Sequence, residues 1–460
     1  MRRPARRRPR SAQTLILFAL LLPIVLGMTG LVIDGGLLLA AYRQVQNAAD
    51  AAALAAAMER IRGQTTAVAA ATGANFVKST QYNNLPGATV TVNIPPLAGA
   101  YAGDNRYVEA VVTNPVQTTF IQVLGINRNR QVGARAVAGT EQNYSGTGAM
   151  ALDRSAIPGV AIGGGGHLIV HGTVVDNSEG TGLDENNHLI DLGLKTYAAT
   201  TGNGATLQST DIFVVGGVDV PANYQPDVTG GPNPLHAGIL PQPDPMKNVP
   251  VPRAGLVGVT TTNRGSFQAT GGTSTINPGV YSSIKITNNA VVTFNPGIYI
   301  IKVSSNGNNG LSITGGAQVT GDGVMIYNTG SDFDINTGLP DANDGENAPP
   351  APGNANFGDI TINGSMINLR GLNNPSSPFD GILIYQRRRN TRDVSIQGNG
   401  STTNLDGTVY AKWSNIKLAG SGQYGAQFFV GAITVAGNGN FVFDYSGKRI
   451  ARSEQVFLVE

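Results

Sequence analysis

Apolar and polar positions divide the chain into three stretches with different periods. From Leu15 to Ile33, 19 positions carry no charge, and Pro23, Gly27, Thr29 and Gly30 alone interrupt the apolar run. As a helix rising 1.5 Å per residue it would be roughly 28 Å long, close to the hydrocarbon thickness of a bilayer. From Tyr42 to Met58 the pattern changes to alanine, the residue with the highest helix propensity. Leu54, Met58 and Ile61 fall at i, i+4 and i+7, a narrow apolar stripe beside a face of small side chains. That face suits lateral packing into a helix bundle, with a solvated stalk as the alternative. Arg60, Arg62 and Gly63 mark its end. The expected membrane-anchor and helix-packing positions are Leu15, Phe18, Pro23, Gly27, Ile33, Asp34, Gln46, Ala49, Asp50 and Leu54, with Asp34 reaching interfacial water at the outer edge.

Residues 63–149 read as a small α/β unit. A short helix over Val68–Phe76 is followed by strands over Ala88–Ile94 and Tyr107–Val112. A compact helical turn over Thr118–Leu124 and a returning strand over Gln131–Ala138 complete it.

Beyond about Ile157 no helical period remains. Short β-branched runs alternate with Gly, Asn, Ser and Thr, and the sequence repeats itself. Asn277-Pro278-Gly279-Val280-Tyr281 returns as Asn295-Pro296-Gly297-Ile298-Tyr299, and a Gly-apolar unit starts at Gly297, Gly323, Gly381 and Gly407. A unit of roughly 20–26 residues with two or three short strands matches the coil of a parallel β-helix, and a β-sandwich is the rival. The expected fold is therefore mainly β: an arm, transmembrane helix and stalk over 1–62, a stub over 63–149, and a β-solenoid over 150–460. Within the solenoid, the nine prolines of 221–252 predict an extended crossing, and 331–357 predicts an exposed loop insert. The aromatic run Phe428–Tyr445 is expected to form the last rung.

Charge settles the direction of the chain in this reading. Arg2, Arg3, Arg6, Arg7, Arg8 and Arg10 precede the apolar run, and no Lys or Arg follows until Arg43. That asymmetry predicts a cytoplasmic N-terminus and an exported remainder, single-pass in a bacterial inner membrane. An uncleaved anchor is preferred over a cleaved signal peptide because helix-forming sequence continues past Asp34. The net charge of +2 turns acidic once the six arm arginines are set aside, so no nucleic-acid footprint is expected. Cysteine is absent, which removes disulfides and thiol chemistry.

Candidate chemistry is sparse. Asp341, Asp344 and Glu346 lie near the spacing of a calcium loop, but the glycine falls one position early. Asp153-Arg154-Ser155-Ala156-Ile157 opens like a metal-dependent adhesion motif and then puts Ile157 where a second hydroxyl is needed. His167 and His171 share a strand face without a carboxylate at fixed spacing. The Arg387–Arg392 run reads as a solvated loop or an acidic-glycan contact. No catalytic residue, metal or cofactor is assigned.

The arginine-rich start, Gln13, Phe18-Ala19-Leu20-Leu21-Leu22-Pro23, Ile33-Asp34-Gly35-Gly36 and Gln46-Asn47-Ala48-Ala49-Asp50-Ala51-Ala52-Ala53-Leu54-Ala55 resemble the N-terminal segment of TadE/TadG-type proteins. The resemblance covers about 50 residues. It implies a pseudopilin-like structural or assembly component of a Tad/Flp pilus system, with the bilayer and other pilus-assembly proteins as partners. A tethered adhesin that binds a glycan surface is the alternative, and a surface polysaccharide lyase or hydrolase the second.

Overall fold

The structure is a computed structural model that describes residues 11–61, 65–79, 83–125, 127–143, 146–193, 196–303, 310–343, 357–400 and 402–459. The chain forms two compact units, Met1–Glu141 with Glu454–Glu460, and Gln142–Ser453.

In the first unit a single helix, α1 (Ser11–Ile61), carries both the apolar run and the alanine run. Its 51 residues extend about 76 Å. The two runs have opposite surroundings. Side chains such as Phe18, Leu20, Met28 and Val32 are exposed, whereas Val45, Ala48, Ala49, Ala52, Ala53, Ala56 and Ala57 are buried at i, i+3, i+4, i+7 spacing. The buried stripe packs against α2 (Thr66–Lys78), which contributes Ala69, Gly73 and Val77 and is capped by Thr65. A Cβ at Gly73 would stand 2.8 Å from the Ala52 carbonyl oxygen, so the helices meet backbone to backbone here and only glycine fits. The stalk expectation is thus corrected. The alanine face is covered by the chain's own α/β elements, while Leu54 and Met58 are half-buried at its border. Alanine wins because a face without long side chains brings more backbone into contact.

The sheet beneath consists of β1 (Thr89–Asn93), β2 (Tyr107–Gln117) and β3 (Asn129–Asn143), paired antiparallel in that order. A fourth strand, Ser453–Leu458, joins β3 from the far end of the chain. Val459 N–H donates to the Val137 carbonyl at 2.8 Å. No local pattern announces this pairing, because its partner lies more than 300 residues away.

The second unit is built almost wholly of parallel strand pairs. Three ladders run side by side: 279–281, 297–302, 324–329, 382–386 and 408–410 in the first; 266–270, 283–287, 311–313, 360–362, 394–396 and 416–418 in the second; 273–276, 291–294, 318–321, 366–369 and 403–406 in the third. The long strand Thr403–Ala436 then leads into three more. There Phe428–Val430 pairs with Ala149–Ala151, Ile433–Val435 with Val160–Ile162, and Phe441–Phe443 with Leu168–Val170. The aromatic run is therefore not a terminal rung. It is an inner joint on which the N-terminal strands of the unit stack, followed by 206–214 and then 224–226 and 235–237. Antiparallel pairing in this unit is confined, among named strands of the described residues, to Gly182–Leu183 with Leu189–Ile190, which leaves little room for an immunoglobulin-type sandwich.

Many inner strands are apolar without alternation because both faces are covered. Along Val324-Met325-Ile326-Tyr327, Val324 and Ile326 face the central core. Met325 and Tyr327 face a second apolar layer with Met246, Val251, Tyr385, Tyr410 and Phe429. The proline-rich segment supplies part of that layer. It begins with strands Tyr224–Pro226 and Leu235–Ala237 inside the ladders, and residues near 246–259 then lie over the outer faces of the Tyr strands. The expected crossing is thus half ladder and half cover: beyond Ala237 the closely spaced prolines lack the N–H a ladder needs, and the segment covers the sheet without extending it.

Candidate functional site

Among the described residues α1 is the one helix long and apolar enough to cross a membrane. Phe18, Pro23, Gly27 and Ile33 are exposed on it. Leu15 lies in its first turns with its side chain outside the described residues, and Arg2, Arg3, Arg6, Arg7, Arg8 and Arg10 also lie outside them.

Asp34 departs from expectation. It is 1% exposed, and its carboxylate accepts the backbone N–H groups of Thr119 (2.9 Å), Phe120 (2.7 Å) and Ile121 (2.5 Å). Those amides open the 3₁₀ turn Ile121–Leu124 and have no partner within the turn, so the carboxylate acts as a cap from another element. Gly30, one turn earlier on the same face, makes room for it, since a Cβ there would stand 2.7 Å from Phe120 Cβ and Cγ. The charge thus meets backbone dipoles and not interfacial water. In the sequence Gly30 reads only as an interruption of the apolar run, although a glycine four residues before an acid on one helix face is a legible signal.

The alanine half carries the other motif residues. Ala49 is fully buried. Gln46 Nε2 donates to Asp50 Oδ1 at 2.7 Å and lies 3.4 Å from the Arg135 carbonyl oxygen of β3, tying helix to sheet. Arg135 in turn donates to the buried Glu109 at 2.6 Å, where Asn93 donates at 2.7 Å. Burial raises the Glu109 carboxyl, but the Arg135 and Asn93 hydrogen bonds outweigh it and hold it below the usual range.

In the second unit the suspected chemistry is used internally. Asp341 is buried against Arg387 (Nε to Oδ1 2.8 Å), receives Thr329 Oγ1 at 2.5 Å and also receives the Tyr327 hydroxyl. Asp344 and Glu346, the other calcium-loop candidates, lie outside the described residues. Arg387 further reaches Asp332 at 2.7 Å and lies over the Phe357 ring. Arg388 donates to the carbonyls of Met246, Lys247 and Val249 at 2.9–3.1 Å and to the Tyr410 hydroxyl. Arg387 and Arg388 are therefore not a solvated loop. They staple the insert and the proline segment to the Tyr strands, because five fixed donors satisfy loop carbonyls that no ladder can. The first half of the insert is packed too, with Phe333 1% exposed. His167, His171 and His188 go separately to Thr206, Asp227 and Asp184 and do not converge. Asp153 accepts the Ser155 N–H and hydroxyl within its own turn. Among the described residues no group of three or more His, Cys, Asp or Glu is arranged to hold a metal.

The arrangement therefore supports anchoring and packing. Residues 12–59, nearly the whole of α1, match a family model described as "Putative Flp pilus-assembly TadE/G-like". No curated protein and no solved structure matches the chain.

Proposed function

We propose that this chain is an exported structural or assembly component of a Tad/Flp-type pilus system, pseudopilin-like, held in a bacterial inner membrane by α1 with its N-terminus in the cytoplasm. The observation that carries the reading is the coincidence of the family match over 12–59 with one helix that is bare and apolar in its first part and packed in its second. In this reading the second unit is a parallel β-helix, displayed on the far side of the membrane. The stacked parallel ladders and the in-register tyrosines Tyr327, Tyr385 and Tyr410 support that geometry. The protein acts without catalysis in this reading; Arg387 and Arg388, the basic residues a lyase would use, are occupied by carboxylates and carbonyls.

A glycan-binding role for the same unit has one observation in its favour. Thr275, Thr293, Thr320, Asn368 and Asn404 stand in register along one ladder, and a groove of about 400 Å³ beside them includes Asp322 and Arg370. Such a column offers a hydroxyl or amide about every 4.8 Å, the chemistry that would bind sugar hydroxyls.

Membrane fractionation of the native full-length chain with an N-terminal mass measurement, in cells with and without the gene, tests the main reading. The chain should resist carbonate extraction and surface pili should be lost with the gene. A freely soluble native chain, or unaltered piliation, would count against it.

A further inference from the structure

We infer that the β2–β3 hairpin tip enters the membrane interface beside α1, as a second lipid-contacting element clasped to the helix by Asp34. The inference rests on the anchoring reading above.

Its basis is the position of the clasp. Gly30 and Asp34 lie at the end of the uncharged run, and the helix surface around them is apolar on both sides. Leu31, Val32 and Ile33 are exposed before Asp34, and Leu37 and Leu39 after it. A carboxylate in such a band needs donors, and the hairpin tip supplies three backbone amides. Phe120, packed on Gly30, is still 42% exposed, so its free surface continues the apolar band of the helix. The neck of the same hairpin has the opposite character. Thr118 N–H donates to the Arg128 carbonyl at 2.9 Å, closing the loop, and Arg128 and Arg130 are exposed just behind it. An exposed aromatic ring at the tip, beside the exposed polar Gln122 and Asn127 and with cationic residues one step back, has the polarity of an interfacial anchor, with the ring among acyl chains and guanidinium groups at phosphates. The helix is already in lipid at that level, so the bilayer is the occupant that continues an existing contact. Asp34 then has a double use: it fixes how deep the tip goes and keeps its own charge away from hydrocarbon.

The test uses the full chain in vesicles of phosphatidylcholine and phosphatidylglycerol. Trp413, the single tryptophan, is replaced by Phe. Phe120→Trp then reports on the tip, and Leu20→Trp, in a separate protein, reports on the helix. Lipids brominated along the acyl chain should reduce emission about twofold at both positions, consistent with insertion about 5–10 Å below the headgroups. Quenching at position 20 without quenching at 120, with acrylamide reaching the tip from water, would overturn the inference and leave the anchor standing. Absence of quenching at both would remove the anchoring reading and this inference with it. Adding Asp34→Ala to the Phe120→Trp protein should abolish quenching at 120, while Leu20→Trp with the same change keeps its own. Unchanged quenching at 120 would overturn the role given to Asp34.

Discussion

The two units solve the same packing problem with opposite materials. The first buries alanine and glycine, so that α1, α2 and the sheet meet at close range. The second buries Ile, Val, Leu and aromatic side chains in continuous stacks and adds an outer layer over the Tyr strands. A small-residue interface gains from closeness and has no room for added volume, whereas a large-residue core gains from volume and is vulnerable to its loss. Polar groups do not follow the same division. Buried acids are met in both units by backbone amides, Asp34 in the first and Asp176 in the second, and by an arginine each, Arg135 on Glu109 and Arg387 on Asp341. The second unit adds Arg388, which holds loop carbonyls.

Substitutions that exchange the two logics probe this contrast. The largest effect is expected from Arg387→Ala, which leaves Asp341 charged and buried and should cost about 3–5 kcal/mol in the β unit. Denaturant titration of the detergent-solubilised chain, read by Trp413 fluorescence, measures it. A loss below about 1 kcal/mol would mean that the staple is dispensable. Ile326→Ala, in the central stack, should cost about 2–5 kcal/mol by the same readout. Ile326→Val should cost only about 0.5–1.5 kcal/mol.

A pH series tests the second unit from another side. Asp176 is buried with its oxygens on the Val160 and Ser178 amides and Tyr224 nearby, and desolvation raises it from 3.8 to about 7. Its folded value lies above its unfolded one, so the contribution is fully present below about 4 and is lost as pH rises through 7. Between pH 4 and 8 the unit should lose on the order of 3 kcal/mol, and Asp176→Asn should flatten that slope. The smallest of these effects falls on the first unit. Ala52→Leu should cost about 1–3 kcal/mol by overpacking, visible as protease sensitivity of 1–141 with the β unit unaffected.

What sequence revealed and what it concealed divides along contact range. The 51-residue helix, α2 and β1 to β3 followed from local period and propensity. The Asn-Pro-Gly repeats also had local content: Tyr281 and Tyr299 hydroxyls each return to the carbonyl of the Asn four residues earlier. The Gly-apolar units stack as their recurrence implied, Tyr327 on Tyr385 and Tyr385 on Tyr410 with ring centres 5.0 and 5.3 Å apart. Hidden from sequence were the contacts between distant segments. The order of stacking, in which Phe428–Val430 meets Ala149–Ala151, has no signature in either segment. The Arg387 run looked like any exposed basic loop until Asp341 and the proline segment were brought to it. Asp34 looked like the border of a membrane span because the amides that hold it lie 85 residues on.

The strand Ser453–Leu458 sits in the sheet that α1 packs on, so the whole β unit leaves and re-enters the same small domain. The four-stranded sheet under α1 is therefore complete only once Ser453–Leu458 has been made and has reached β3. Once it is complete, a single protease nick within 142–453 leaves two fragments that still share that sheet.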